Sequence, residues 1–246
     1  MSIINRVSLT GVDDRIDVSV LSELSREFLF VEWGILYVPH KLGSPRNPSK
    51  AWYSSFFESN RIKWKFSAIH LCGSLAFNEL LDNTLPKFIS LADRIQLNIN
   101  ARKIEFTDKE VLEVYERSLD LGPDIILQYN ENTAENILHF ISCLDKYDMM
   151  RVGILLDESR GRGTVPEIWS IPEKVKSLLS EYKDVSCGFA GGINPDNIVT
   201  VMQNIETMIG DKDDDIDFRW WIDMESGIRT DNEFDLVKAE HILTAV

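Results

Sequence analysis

The side chains of this sequence able to do chemistry are few, and most of them close short apolar runs. Asp157 ends the run Val152-Gly-Ile-Leu-Leu156 and is followed by Glu158 and Ser159. A carboxyl at the rim of a hydrophobic segment is desolvated, which raises its pKa toward the range of a general acid. Capping a turn, or pairing with Arg160 or Arg162, is the structural alternative. Arg46, in Gly43-Ser-Pro-Arg-Asn-Pro48, offers a planar fork that matches a carboxylate, or else stands as a solvated loop arginine. Cys72 brings a thiol to the end of another apolar run, although cysteine is more often a small core residue. His70 shares its face by period-two alternation and reads as a structural histidine. Gln96 and Asn98 share one face of a further run, where they line a ligand or hydrogen-bond each other. Thr10 closes the first run.

Two more runs end in small residues. Val185-Ser-Cys-Gly-Phe-Ala190 breaks at Gly191-Gly192 and Trp220-Trp-Ile-Asp-Met224 breaks at Ser226-Gly227. Glycine keeps no side chain between backbone and ligand, and Asn194-Pro195 is a helix start, so backbone N–H groups there are free to face an anion.

Eight such runs recur with helical or polar segments between them, the sequence form of repeated βα units and a parallel sheet. They are Arg6–Thr10, Phe28–Val38, Phe66–Cys72, Arg94–Ile99, Asp124–Gln128, Arg151–Leu156 and the two glycine-ended runs. Helices are expected through Val18, Leu21 and Leu24, over Lys50–Lys65, from a Ser74 cap through Leu80, and over Thr133–Leu144, Glu173–Tyr182, Pro195–Ile209 and Asp231–Leu243. The helix Thr107–Leu121 carries its own signals: Thr107 as N-cap, Glu110 at the capping-box position, Gly122-Pro123 as stop. Eight strands and eight interposed segments over 246 residues close a (β/α)8 TIM barrel, taken as one domain over 1–246. Such barrels keep reacting groups at the C-terminal ends of their strands and a phosphate in the loops after strands seven and eight.

Composition narrows the partners. A formal net charge of −14 repels nucleic acid and anionic membranes, while a local basic pocket can still bind a small anion. Cys72, Cys143 and Cys187 have no metal-like spacing and fit a reducing compartment. The first ten residues lack the form of a signal peptide and no run is long enough for a membrane span. The expectation is a cytoplasmic protein, a monomer or homodimer, with no metal and no cofactor.

Taken together these motifs resemble those of the phosphoribosylanthranilate isomerase family. Ser44-Pro45-Arg46 resembles its SPR loop, and Ile95-Gln96-Leu97 its VQLHG strand, with Asn98 where the histidine stands. Leu155-Leu156-Asp157 resembles LLLD, and the Gly-rich loop Ser159–Thr164 its GGTG. The stretch from Ala190 to Ile198 is similar to AGGLNPENV and that from Asp223 to Ile228 to DVSSGVE; these two are the most specific, since their order and separation also match. The resemblance implies a (β/α)8 barrel catalysing an Amadori rearrangement of a phosphorylated aminosugar without cofactor or metal. Asp157 would be the general acid at the ribose ring oxygen, Arg46 would hold the anthranilate carboxylate, and Gly191, Gly192, Ser226 and Gly227 would hold the 5-phosphate. The family's base is the cysteine of a KICG motif, and the aligned residues here are Ser8-Leu9-Thr10-Gly11. A threonine hydroxyl is no base near neutrality without an activating partner. Cys72, Asp13 or Asp14 folding back, or a water held by Thr10, are the candidate substitutes, with Asp13 and Asp14 otherwise beginning the first helix. A barrel that binds a phosphosugar without turning it over is the second expectation.

Overall fold

The computed structural model describes residues 4–58, 66–98, 107–130, 132–146, 152–157, 170–182, 185–210 and 219–246. In chain order the elements are β1 Ile4–Thr10, α1 Val18–Glu27, β2 Val31–Tyr37, α2 Lys50–Glu58, β3 Phe66–Cys72, α3 Gly73–Leu81, β4 Arg94–Asn98 and α4 Asp108–Leu121. They continue with β5 Asp124–Tyr129, α5 Ala134–Asp145, β6 Val152–Asp157, α6 Glu173–Glu181, β7 Ser186–Ala190, α7 Ile198–Gly210 and β8 Trp220–Met224. A two-stranded hairpin, β9 Arg229–Thr230 with β10 Glu233–Phe234, precedes α8 Leu236–Ala245. The eight long strands pair in sequence order, all parallel, and β8 pairs back onto β1, giving the closed (β/α)8 TIM barrel. No helix among the described residues is long and apolar enough to cross a membrane.

Because strand side chains alternate faces, the barrel wall separates two apolar clusters. The larger lies between wall and helices and includes Val7, Leu9, Trp33, Ile69, Phe140 and Phe189. The smaller is Ala68, Ile126, Leu155, Ala190 and Trp221, the interior filling. Trp221 takes the space of two missing side chains: a Cβ at Gly188 would stand 2.2 Å from its indole and one at Gly153 2.8 Å. Beneath it, at the N-terminal ends of the strands, Arg94 donates to buried Glu32 from Nε (2.8 Å) and Nη2 (2.5 Å). Ser8 Oγ also donates to Glu32, and the Arg94 guanidinium lies 4.3 Å from the Trp221 ring centroid. Burial pushes the Glu32 pKa upward, but the Arg94 and Arg6 charges and the Ser8 bond outweigh it, so the net shift is downward. This end of a barrel serves stability, not reaction.

Several boundaries depart from expectation for local reasons. The second strand begins at Val31, not Phe28, because Phe28 closes α1 through its N–H to the Leu24 carbonyl. Asp17, not Asp13 or Asp14, caps α1 by accepting from Ser19 N–H at 2.8 Å. Ser74 caps nothing, since α3 already starts at Gly73. A turn with Ile198 N–H on the Asn194 carbonyl (3.1 Å) precedes α7. The last helix starts at Leu236 because Asp231 and Asn232 take positive φ (52° and 63°) and fold 229–234 into the hairpin. The α4 cap is as expected: Thr107 and Glu110 form the reciprocal box and Gly122 (φ 95°) ends the helix. The Ser159–Thr164 loop, Arg160 and Arg162, the acidic run 211–217 and the end of the aromatic segment at 59–65 lie outside the described residues.

Candidate functional site

The polar groups that strand alternation brings to the C-terminal ends of β1, β3, β4, β5, β6 and β8 form the mouth of the barrel. Thr10, from β1, is 1 % exposed and fits because β2 carries glycine beside it, where a Cβ at Gly34 would stand 1.9 Å from Thr10 Oγ1. Its hydroxyl donates to Asp223 Oδ1 of β8 at 2.6 Å. Burial pushes the Asp223 carboxyl up to about 7; the Thr10 bond opposes this, and the negative charges of Glu225, Glu32 and Asp157 add to it. Asp157, at the end of β6, accepts from Gln128 Nε2 of β5 at 2.6 Å. Strand register sets Asp157 beside Ala190 and Ala190 beside Asp223, so the two aspartates lie two strands apart with one residue between them in register.

On the other side of the mouth Gln96 Nε2 donates to Asn98 Oδ1 at 2.7 Å, and Asn98 Nδ2 lies 3.7 Å from Cys72 Sγ. Burial pushes the Cys72 thiol up to about 11, opposed by the Asn98 bond. Cys72 is therefore a neutral thiol near pH 7, which counts against it as a substitute base. Burial likewise lowers His70 to about 4, so it is uncharged at neutrality.

Loops tie the β1, β2 and β8 ends together. Ser44-Pro45-Arg46-Asn47 is a tight turn, closed by Asn47 N–H on the Ser44 carbonyl (2.9 Å), with proline at its second position and Arg46 at φ 69° in its third. Most residues at that third position are glycine or asparagine, so Arg46 holds a strained backbone. Asp13 accepts the Arg46 N–H at 2.8 Å, and Arg46 Nη2 pairs with Glu225. Arg46 Nε is buried without a partner among the described residues. Asp14 instead accepts from Ser49 N–H at 2.6 Å. Arg229 Nη1 donates to the Gly11 carbonyl at 2.9 Å. The sequence reading of Arg46 as a carboxylate holder thus meets a carboxylate belonging to the protein itself, and neither Asp13 nor Asp14 is free to fold back as a base.

The two small-residue turns lie side by side. A Cβ at Gly227 would be 1.9 Å from the Ile193 carbonyl oxygen, so the turn after β8 rests directly on the turn after β7. Gly227 is thus needed for this contact. Gly191 (φ 118°) and Gly192 (φ 63°) hold conformations that side chains disfavour, and Asn194 and Asn197 fix the turn by donating to the Gly192 carbonyl (3.1 and 2.9 Å). Ser226 and Gly227 begin a 3₁₀ turn, where N–H groups lack partners within the turn.

Asp223, Glu225 and Arg229 were not singled out from sequence. Asp223 stands one residue before the end of an apolar strand, close to the place Asp157 takes in β6, and a similar signal points to it; Glu225 and Arg229 act through partners 179 and 218 residues away, which no local pattern encodes. Away from the mouth, Asp108, His139 and Cys143 bring metal-capable atoms within 4.8 Å across α4 and α5, a grouping cysteine spacing could not reveal. Lys146 and His139 already pair with that Asp108 carboxylate.

Fold and mouth together define the class: a (β/α)8 barrel with polar groups gathered at the strand ends and paired turns after β7 and β8. Its structure is similar to monomers of the dimeric phosphoribosylanthranilate isomerase of Thermotoga maritima (TM-score 0.57, 13% identity, 99% of this chain and 98% of that one). It is also similar to N-(5′-phosphoribosyl)anthranilate isomerase from Pyrococcus furiosus (0.53, 15%, 98% and 97%) and to a 3-hexulose-6-phosphate synthase (0.52, 11%, 99% and 100%). At these identities the likeness is one of fold. No protein-family model matches the sequence, and no curated protein does.

Proposed function

We propose that this barrel binds a phosphorylated aminosugar at its mouth and isomerises it from aminoaldose to aminoketose. The observation that carries the reading is the seating of the Ser226-Gly227 turn on the Gly191–Asn194 turn, past the C-terminal ends of β7 and β8, with Asp223 on β8 and Asp157 two strands away. Backbone N–H groups of Gly191, Gly192, Ser226 and Gly227 hold the phosphate, as helix and turn N-termini hold anions. Asp157, steadied by Gln128, gives a proton to the ring oxygen as the C1–O bond breaks and the nitrogen lone pair forms a C1=N iminium. Loss of the C2 proton then sends the C2–H electrons into a C1=C2 bond and neutralises the nitrogen. Tautomerisation of the resulting enolamine, with a proton returned to C1 and the C2 hydroxyl proton released to restore the one Asp157 gave to the ring oxygen, gives the ketone. The motif resemblance and the phosphosugar enzymes among the similar folds support the same substrate class. Gln96, Asn98 and Cys72 line the sugar's other side.

A phosphosugar-binding barrel without turnover is favoured by one specific observation, the pairing of Arg46 with Glu225, which takes up the group that would hold a substrate carboxylate. Expression in a tryptophan-requiring strain lacking the isomerase separates the two. Rescue that is lost in Asp157→Asn supports the enzyme. Failure of rescue by a stable protein that still binds ribose 5-phosphate supports the receptor.

A further inference from the structure

We propose that Asp223, oriented by the Thr10 hydroxyl, is the base that removes the C2 proton. The proposal rests on the isomerase reading and supplies the group it lacks. Thr10 stands where the resemblance puts a cysteine thiolate, and it cannot serve as a base itself. What Thr10 does is hand its hydroxyl proton to a hydrogen bond: Oγ1 donates to Asp223 Oδ1 at 2.6 Å, which leaves Oδ2 to accept. The substitute carboxylate therefore lies in direct contact with the residue at the missing group's position.

Geometry also sets it against the acid. Asp157 and Asp223 both register with Ala190, which lies between them, two strand spacings or roughly 10 Å apart at the backbone. With side chains reaching inward from both, C1, C2 and the ring oxygen of one sugar fit between an acid on one side and a base on the other. Asp223 is 9 % exposed, Thr10 1 % and Asp157 4 %, so the transfer is screened from bulk water. Thr10 from β1 bonds to Asp223, and Glu225 from its own strand end, Glu32 from β2 and Asp157 from β6 act on it through their charge. Burial above all, with the Glu225 and Glu32 charges adding to it, holds Asp223 at about 7, a basicity much closer to that of a thiolate than of an ordinary carboxylate. A base with that affinity for protons is still ionised in part at neutral pH, the condition under which proton abstraction is most efficient. In the step itself the C2–H pair forms the C1=C2 bond, the C1=N π electrons return to nitrogen, and the proton goes to Asp223 Oδ2, from which it is delivered to C1.

The test is kcat and KM against pH for phosphoribosylanthranilate, followed by loss of anthranilate fluorescence, in the wild type, Asp223→Asn, Asp223→Glu and Thr10→Val. The expected wild-type kcat rises with pH through an ascending limb near 7. Asp223→Asn should lose about 10²–10⁴-fold in kcat with KM changed by less than about threefold, the usual scale of a lost general base. Asp223→Glu should recover part of the loss, and Thr10→Val should move the limb to higher pH because the carboxylate has lost a donor. Wild-type kcat in a folded Asp223→Asn, or a limb that falls with pH near 7 and vanishes in that variant, overturns the base assignment while leaving the isomerase reading intact. A wild type inert toward the aminosugar overturns both, and it is scored before any variant is compared.

Discussion

At the scale of single residues, the mouth is a set of carboxylates held by donors. Glu225 occupies Arg46, and the strained backbone of Arg46 is anchored through Asp13. Glu225→Gln keeps the side chain's shape and removes its charge, freeing the guanidinium for a ligand. Calorimetry should then show a phosphosugar bearing a carboxylate binding roughly tenfold tighter, about 1.4 kcal/mol, with ribose 5-phosphate unchanged. Equal effects on both ligands would mean Arg46 does not select a carboxylate. Asp223 carries a second prediction. Its folded pKa is raised, so between the ordinary carboxylate range and about 7 the folded state binds more protons than the unfolded one. The stability this lends is fully present below about 4 and is lost as pH rises through about 7. Asn cannot ionise, so the melting temperature of Asp223→Asn relative to wild type should climb from pH 5 to pH 8. A constant difference across that range would contradict a neutral-range titration at this site.

At the scale of elements, what sequence revealed and what it hid follows from the range of the forces involved. The α4 boundaries were legible because Thr107, Glu110 and Gly122 act within a turn of themselves. Thr107→Ala should cost about 1 kcal/mol in chemical denaturation, and no loss would mean the box is idle. Strand β3 was legible end to end because its apolar run is bounded by polar residues on one side and Gly73 on the other. The turn and second strand of the hairpin, 231–234, fall within the helix expected over Asp231–Leu243, because apolar residues recur there at helical spacing. The hairpin's signal lay in Asp231-Asn232, a pair that tolerates the positive φ of a two-residue hairpin turn, and in Phe234, whose ring meets Trp33 across the fold. Glu32 was invisible as a partner of Arg94 because 62 residues separate them. Removing one side of a buried pair leaves the other uncompensated, so Glu32→Ala should lose about 3–5 kcal/mol by denaturation while leaving the mouth's residues in place. A near-neutral change would mean that water reaches Arg94.

At the scale of the molecule, the barrel separates its two tasks along one axis. The ion cluster of Glu32 and Arg94 fills the N-terminal end, Trp221 plugs the middle, and Thr10, Asp157 and Asp223 face the C-terminal mouth. Closure of the ring brings β8 beside β1, and so joins Asp223 to Thr10 across 213 residues. A pairing made by ring closure leaves no mark in local sequence, which is why the Thr10–Asp223 contact is legible only in the fold. With a net charge of −14, the chain cannot draw in a dianion by its overall field, so the proposed phosphate site relies on local N–H dipoles. The most direct measurement of this claim is a titration of the ¹⁵N-labelled protein with ribose 5-phosphate, and with ribose as control, read at the backbone amides. The account predicts that Gly191, Gly192, Ser226 and Gly227 shift together and saturate with the phosphate and stay still with ribose. Saturable shifts elsewhere with those four unmoved would contradict it.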